Sequence, residues 1–260
     1  MGAARPLAGR GALVTGVSRR EGIGFAVAHR LASLGARVMI QGFAPHDADQ
    51  PGLSRAEAVD AVIAELRVVD PGVEFVEADF ADAASAGRVV AAAVAARGSL
   101  DILVANHARS SSNSLEDVTA EELDVSFAVN ARGSILLAQA FAAQYEGMSG
   151  GRIVLLTSGQ HGNAMPAELA YAISKGAIHQ ATRTLAAHLM SRGITVNTVN
   201  PGPTDTGWAD ADTHAVVADM MPAGRWGSPS DAARLIALLC GDDAAWVTGQ
   251  VIDADGGFSL

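Results

Sequence analysis

The chain has 260 residues, 49% hydrophobic and 18% charged, which excludes a disordered chain and suits one large α/β domain spanning 1–260. Its formal net charge of −10 sets the mean field against nucleic acid and anionic membrane surfaces, so neither is expected as a partner. The one cysteine, Cys240, sits in an apolar run and reads as a small core residue. Residues 1–10 lack an apolar signal core, and no uninterrupted apolar run reaches the ~20 residues that span a bilayer. A soluble protein of the reducing cytoplasm is expected.

In chain order, apolar and β-branched runs predict strands at 12–15, 37–41, 73–77, 102–105, 152–156, 195–199 and 251–253. Ala-rich helical stretches fall between them, near 23–34, 54–68, 83–97, 119–145, 168–191 and 229–239. Several strands are apolar throughout, as strands covered on both faces are. The alternation predicts an α/β, single-domain Rossmann fold: a doubly wound, parallel, seven-stranded sheet with helices on both faces. Pro45, Asp47, Asp49, Pro51 and Gly52 make 42–53 a loop, and a second loop or short-helix region occupies 202–227, whose 203–227 portion is the substrate-loop candidate.

Two patterns point to chemistry. The first strand runs into Thr15-Gly16-Val17-Ser18-Arg19-Arg20-Glu21-Gly22-Ile23-Gly24, and a helix follows. Glycines let a backbone approach a pyrophosphate, and a helix N-terminus supplies N–H donors and positive dipole. Tyr171 and Lys175 are four apart in a helical stretch, hence neighbours on one face. An ammonium ~4 Å from a phenol at an effective dielectric of ~20 favours phenolate by about 4 kcal/mol. That is enough to draw a tyrosine from ~10 towards ~7, where it exchanges protons readily.

With these motifs the chain resembles the short-chain dehydrogenase/reductase family along nearly its whole length, in particular members like 3-oxoacyl-carrier-protein reductases whose glycine turn is two residues longer. The resemblance implies a nicotinamide cofactor bound through Gly16, Ser18, Arg19, Gly22, Ile23 and Gly24. It places Asp79 and Phe80 beside the adenine and Asn106 in the turn after the fourth strand, where His107 departs from the family pattern. It places Pro201, Gly202, Thr204 and Thr206 beside the nicotinamide end. The position where NAD-selecting relatives carry a carboxylate is Gly42, and Arg19 stands where NADP-using relatives hold a 2′-phosphate, so NADP(H) is expected over NAD(H).

The same resemblance assigns catalysis to Ser158, thirteen residues before Tyr171, together with Tyr171, Lys175 and Asn130. A strand-end hydroxyl such as Ser158 is placed to hydrogen-bond a carbonyl as charge develops on its oxygen. Tyr171 and Lys175 also contact the cofactor, and Asn130 is expected to kink its helix and hold a relay water. The implied reaction interconverts a ketone and a secondary alcohol. Gln160, His161, Met165 and 208–221 are the candidate pocket lining, and no histidine has metal-ligand spacing.

Three other readings stay open. A fatty-acid type 3-oxoacyl-carrier-protein reductase is one, but the positions that dock an acidic carrier correspond to Leu136 and Ala187. Enoyl reduction is disfavoured, since that branch spaces its Tyr and Lys more widely. A cofactor-sensing scaffold is disfavoured by the presence of both Tyr171 and Lys175. The expected partner is a small carbonyl or alcohol, and family habit implies a homotetramer.

Overall fold

A computed structural model describes residues 5–43, 45 and 59–260. The strands are β1 (Gly11–Thr15), β2 (Arg37–Gly42), β3 (Glu74–Glu77), β4 (Ile102–Ala105), β5 (Gly151–Leu156), β6 (Ile194–Asn200) and β7 (Val251–Asp253). The helices are α1 (Ile23–Ser33), α2 (Val59–Leu66), α3 (Ser85–Arg97), α4 (Ala120–Ser126), α5 (Gly133–Gln144), α6 (Leu169–Leu189), α7 (Ala211–Met220) and α8 (Pro229–Cys240).

All seven strands pair in parallel in the order β3-β2-β1-β4-β5-β6-β7. Side chains alternate along a strand, and here both faces are covered. Ala12 and Val14 of β1 join Ile102 and Val104 of β4 in the core beneath α1 and α8. Leu13, Leu103 and Ala105 point the other way, into the core beneath α3, α5 and α6. That double burial is why the strands read as continuous apolar runs. Cys240 is buried, and burial pushes its thiol up to about 12, so it is an inert core group.

Several elements differ from the sequence expectation. Val73 closes a turn on Asp70 instead of starting β3. Of the helix expected at 54–68, Val59–Leu66 is observed, while 54–58 and most of the loop at 42–53 lie outside the described residues. Within 203–227 stands a ten-residue helix, α7, whose N-cap Asp210 accepts the Thr213 N–H at 2.8 Å. The helix expected at 119–145 is a composite. Thr119 caps α4 through the Glu122 N–H, and Phe127–Arg132 widens into a π-helical segment before α5. The run Ala120–Gln144 is long and apolar enough to cross a membrane by length and composition. It packs against α3 and α6, as a core helix does.

The strand order reverses between β1 and β4. The carboxyl ends of these strands diverge there, which opens the crevice where open α/β sheets bind ligands.

Candidate active site

A cleft of about 800 Å³ lies along the carboxyl edge of the sheet. Of the residues singled out in the sequence, Gly16, Ser18, Arg19, Gly22, Ile23, Asp79, Phe80 and Asn106 line one end, the end formed by β1, β3 and β4. Ser158, Tyr171, Lys175, Pro201, Gly202, Thr204 and Thr206 line the other. Gly24 and Asn130 lie behind the wall rather than on it.

The glycine turn is shaped by close backbone contact. Gly16 has φ +71°, and a Cβ on Gly24 would lie 2.3 Å from the Gly16 carbonyl oxygen. Thr15 and Asn106 clamp the turn to β4. Thr15 Oγ1 accepts from the Asn106 N–H at 3.0 Å, and Asn106 Nδ2 donates to the carbonyls of Thr15 and Gly16. Asn106 therefore acts on the shape of the turn. Gly22 at the N-cap of α1 has no side-chain cap, which leaves the first N–H groups of that helix open to an anion.

The end of β2 bears on cofactor choice. A Cβ at Gly42 would lie 2.9 Å from the Val17 carbonyl oxygen, so a carboxylate there requires the backbone to shift. Arg19 lines the cleft, and its Nη1 donates to the Thr206 carbonyl at 3.0 Å. It links the glycine turn to the loop over the opposite end. Arg20 pairs with Glu65 at 3.1 Å on the outer surface.

β5 delivers Ser158 just past its last residue, Leu156, and α6 presents Tyr171 and Lys175 one turn apart. Ser158 and Tyr171 share the cleft wall, and the Ser158 hydroxyl favours the ionised form of the phenol. Lys175 is buried; its Nζ donates to the Leu156 carbonyl at 3.0 Å and lies 5.7 Å from the Tyr171 ring centroid. Thr157 Oγ1 donates to the Lys175 carbonyl at 3.0 Å and fixes α6 to the end of β5.

The electrostatics correct the expectation that Lys175 draws Tyr171 towards ~7. Burial is the largest influence on the phenol and raises it to about 12, with the Glu168 carboxylate adding to the rise and Ser158 opposing it. The lysine ammonium sits over the ring face and bonds a backbone carbonyl, not the phenol oxygen. Burial also lowers Lys175 to about 8. In this cleft Tyr171 is a protonated acid.

Asn130 lies in the π-helical segment, fully buried. Its Oδ1 accepts the Arg109 N–H at 2.7 Å, and its Nδ2 donates to the Arg109 carbonyl at 3.0 Å and Ser174 Oγ at 2.9 Å. The widened turn thus ties the segment after β4 to the residue preceding Lys175.

Sequence reasoning passed over three groups. His107 packs against Phe80 in a tilted pair with ring centroids 4.2 Å apart, and its Nδ1 lies 2.8 Å from Thr15 Oγ1. Burial, then the Lys175 charge, lowers it to about 3, so it is a neutral ring. Its departure from the family turn was the available signal. Gln41 Oε1 accepts the Gly16 N–H at 3.1 Å, which no pattern announces. Glu168 lines the cleft three residues before Tyr171, a spacing that could have flagged it.

A doubly wound parallel sheet with this switch-point cleft suits a bound nucleotide. The chain belongs to the short-chain dehydrogenase/reductase family. A family model described as enoyl-(acyl carrier protein) reductase matches residues 16–259. The uncharacterized oxidoreductase YjdA of Bacillus subtilis is 38% identical over 249 residues, covering 95% of this chain and 96% of the relative. A short-chain dehydrogenase from Burkholderia cenocepacia in complex with NADP is 36% identical, with a TM-score of 0.87 over 98% of this chain and 100% of that one. LugOII, a promiscuous reductase that catalyses keto-reduction at C1 during lugdunomycin biosynthesis, is 37% identical, with a TM-score of 0.85 over 98% and 99%.

Proposed function

We propose that this oxidoreductase interconverts a ketone and a secondary alcohol with NADP(H), with Tyr171 as the acid/base. The observation that carries this reading is the meeting of Ser158, Tyr171 and Lys175 on one cleft wall, with Lys175 buried and its Nζ 5.7 Å from the Tyr171 ring centroid. The bound cofactor supplies the hydride, which the protein itself cannot. Ser158 orients the carbonyl oxygen and stabilises charge developing on it. Tyr171, held protonated, gives that oxygen its proton. Lys175 holds the cofactor ribose and, once the phenol has lost its proton, stabilises the phenolate across the ring. Asn130 is a positioning residue that keeps Ser174 and Arg109, and so Lys175, in register.

The cofactor reading rests on the uncapped α1 terminus, the absence of room at Gly42 for a ribose-binding carboxylate, and the Arg19 guanidinium in the cleft. The Burkholderia relative was solved with NADP. Asp79 and Phe80 flank the adenine end, and Pro201, Gly202, Thr204 and Thr206 the nicotinamide end. Keto-reduction is also the reaction that LugOII catalyses. Enoyl reduction is the weaker reading because Tyr171 and Lys175 stand one turn apart. A free carbonyl substrate is favoured over a carrier-bound chain, because Leu136 and Ala187 offer an acidic carrier no cation. We also propose a cytoplasmic homotetramer, in which the exposed Phe127, Ile135 and Ile173 on the two long helices face other copies.

The test is a panel of ketones and alcohols assayed with NADPH and NADH separately, with carrier-bound acetoacetyl substrate included. NADPH-dependent ketone turnover supports the reading; efficient, salt-sensitive turnover of the carrier substrate alone overturns it.

A further inference from the structure

Glu168 stands at the N-cap of α6 (φ −130°, ψ 38°), where a carboxylate could satisfy helix N–H groups, yet its side chain makes no such bond. It lines the cleft beside Tyr171 instead. Gln160 Nε2 donates to its Oε2, with the amide turned so that Gln160 Oε1 is buried without a partner. Among the described residues no cation pairs with Glu168. The nearby Arg109 is committed to Glu122 through two hydrogen bonds, at 2.8 and 3.1 Å, and Lys175 to the Leu156 carbonyl.

A half-buried carboxylate held by one neutral amide has lost hydration without full compensation. Burial accordingly raises its own pKa, and its charge is felt at the Tyr171 phenol. The carboxylate therefore stands on the cleft wall that also carries Tyr171 and Ser158. The same cleft also offers apolar surface. Met165, Phe258 and Trp208 line it, and Trp208 meets Trp226 edge-on at 5.6 Å.

We propose that Glu168 is a specificity-determining residue: its carboxylate accepts a hydrogen bond from a hydroxyl or ammonium group that the substrate carries beside its reacting carbonyl, and it repels a carboxylate at the same place. The natural substrate is then a hydroxy- or amino-ketone with an apolar body. This inference rests on the carbonyl-reduction reading above.

Three probes assayed with NADPH separate the possibilities: phenacyl alcohol, propiophenone, which replaces its hydroxyl by methyl, and benzoylformate, which places a carboxylate there. A charge-assisted hydrogen bond gives phenacyl alcohol a kcat/KM advantage over propiophenone of about 10- to 100-fold in the native protein. In Glu168→Leu the advantage falls to about 2-fold or less, while benzoylformate gains relative to both. Glu168→Gln, which keeps an acceptor and the Gln160 contact, retains part of the preference but loses the discrimination against benzoylformate. Equal kcat/KM for phenacyl alcohol and propiophenone in the native protein overturns this inference and leaves carbonyl reduction standing. Reduction of none of the three contradicts the carbonyl-reduction reading itself.

Discussion

Lys175 Nζ donates to the carbonyl oxygen of Leu156 at 3.0 Å, at the point where β5 hands over to Thr157 and Ser158. One bond fixes the ammonium against the strand that carries Ser158. It also explains why the lysine faces the Tyr171 ring and not its hydroxyl. Replacing Lys175 by Met preserves the length of the side chain and removes the charge. NADPH-dependent reduction should fall by about 10²- to 10⁴-fold, measured by steady-state kinetics on variant protein whose circular dichroism matches the native form.

The raised phenol predicts an asymmetric pH response. In the proposed mechanism reduction consumes the protonated form of Tyr171, which persists to about 12, so this group should impose no alkaline loss on kcat for reduction at ordinary pH. Alcohol oxidation requires the phenolate and should therefore accelerate as pH rises. Lys175, near 8, sheds its charge on its own over the same range, which should flatten the oxidation profile above pH 8. Parallel pH–rate profiles in the two directions check this; a reduction rate that collapses near pH 7 speaks against it.

Arg19 should matter more with one cofactor than the other. A guanidinium on a phosphate contributes about 1.5–3 kcal/mol. Arg19→Ala should raise KM for NADPH about 10- to 100-fold and change KM for NADH only by the loss of the Thr206 contact. Equal effects on both cofactors would reassign Arg19 to fastening the loop.

His107 carries a stability signature. Its folded pKa, about 3, lies below the ordinary 6.5, so the unfolded chain binds the extra proton between those values. Stability is therefore lost as pH falls from about 6.5 to about 3, by roughly 4 kcal/mol over the window. His107→Asn should remove that dependence, read from denaturation midpoints at pH 7 and pH 4.

The fold was legible because burial on both faces of the sheet leaves unbroken apolar strands, and because Ala-rich helices alternate with them. The closeness of Tyr171 and Lys175 was legible by spacing, since a helix turn converts a four-residue offset into proximity, whereas Ser158 was singled out through family resemblance. The π-helical segment at Phe127–Arg132 left no periodic mark, because one extra residue in a turn is invisible at that length, and only the kink that family resemblance implied at Asn130 pointed to it. Asn130 was found through family resemblance, but its three partners depend on Arg109 and Ser174, which only folding brings near. The phenol's pKa was misjudged for a similar reason. Spacing placed Lys175 near Tyr171 but gave neither the direction of its Nζ nor the desolvation and the Glu168 charge acting the other way.

The central claim is that Tyr171 delivers the proton, and Tyr171→Phe tests it most directly because only the hydroxyl is lost. NADPH affinity, followed by the quench of protein fluorescence, should stay within about 3-fold, while ketone reduction falls by at least about 10³-fold. Reduction that survives in Tyr171→Phe at near-native kcat would contradict the assignment and move the acid to another group in the cleft.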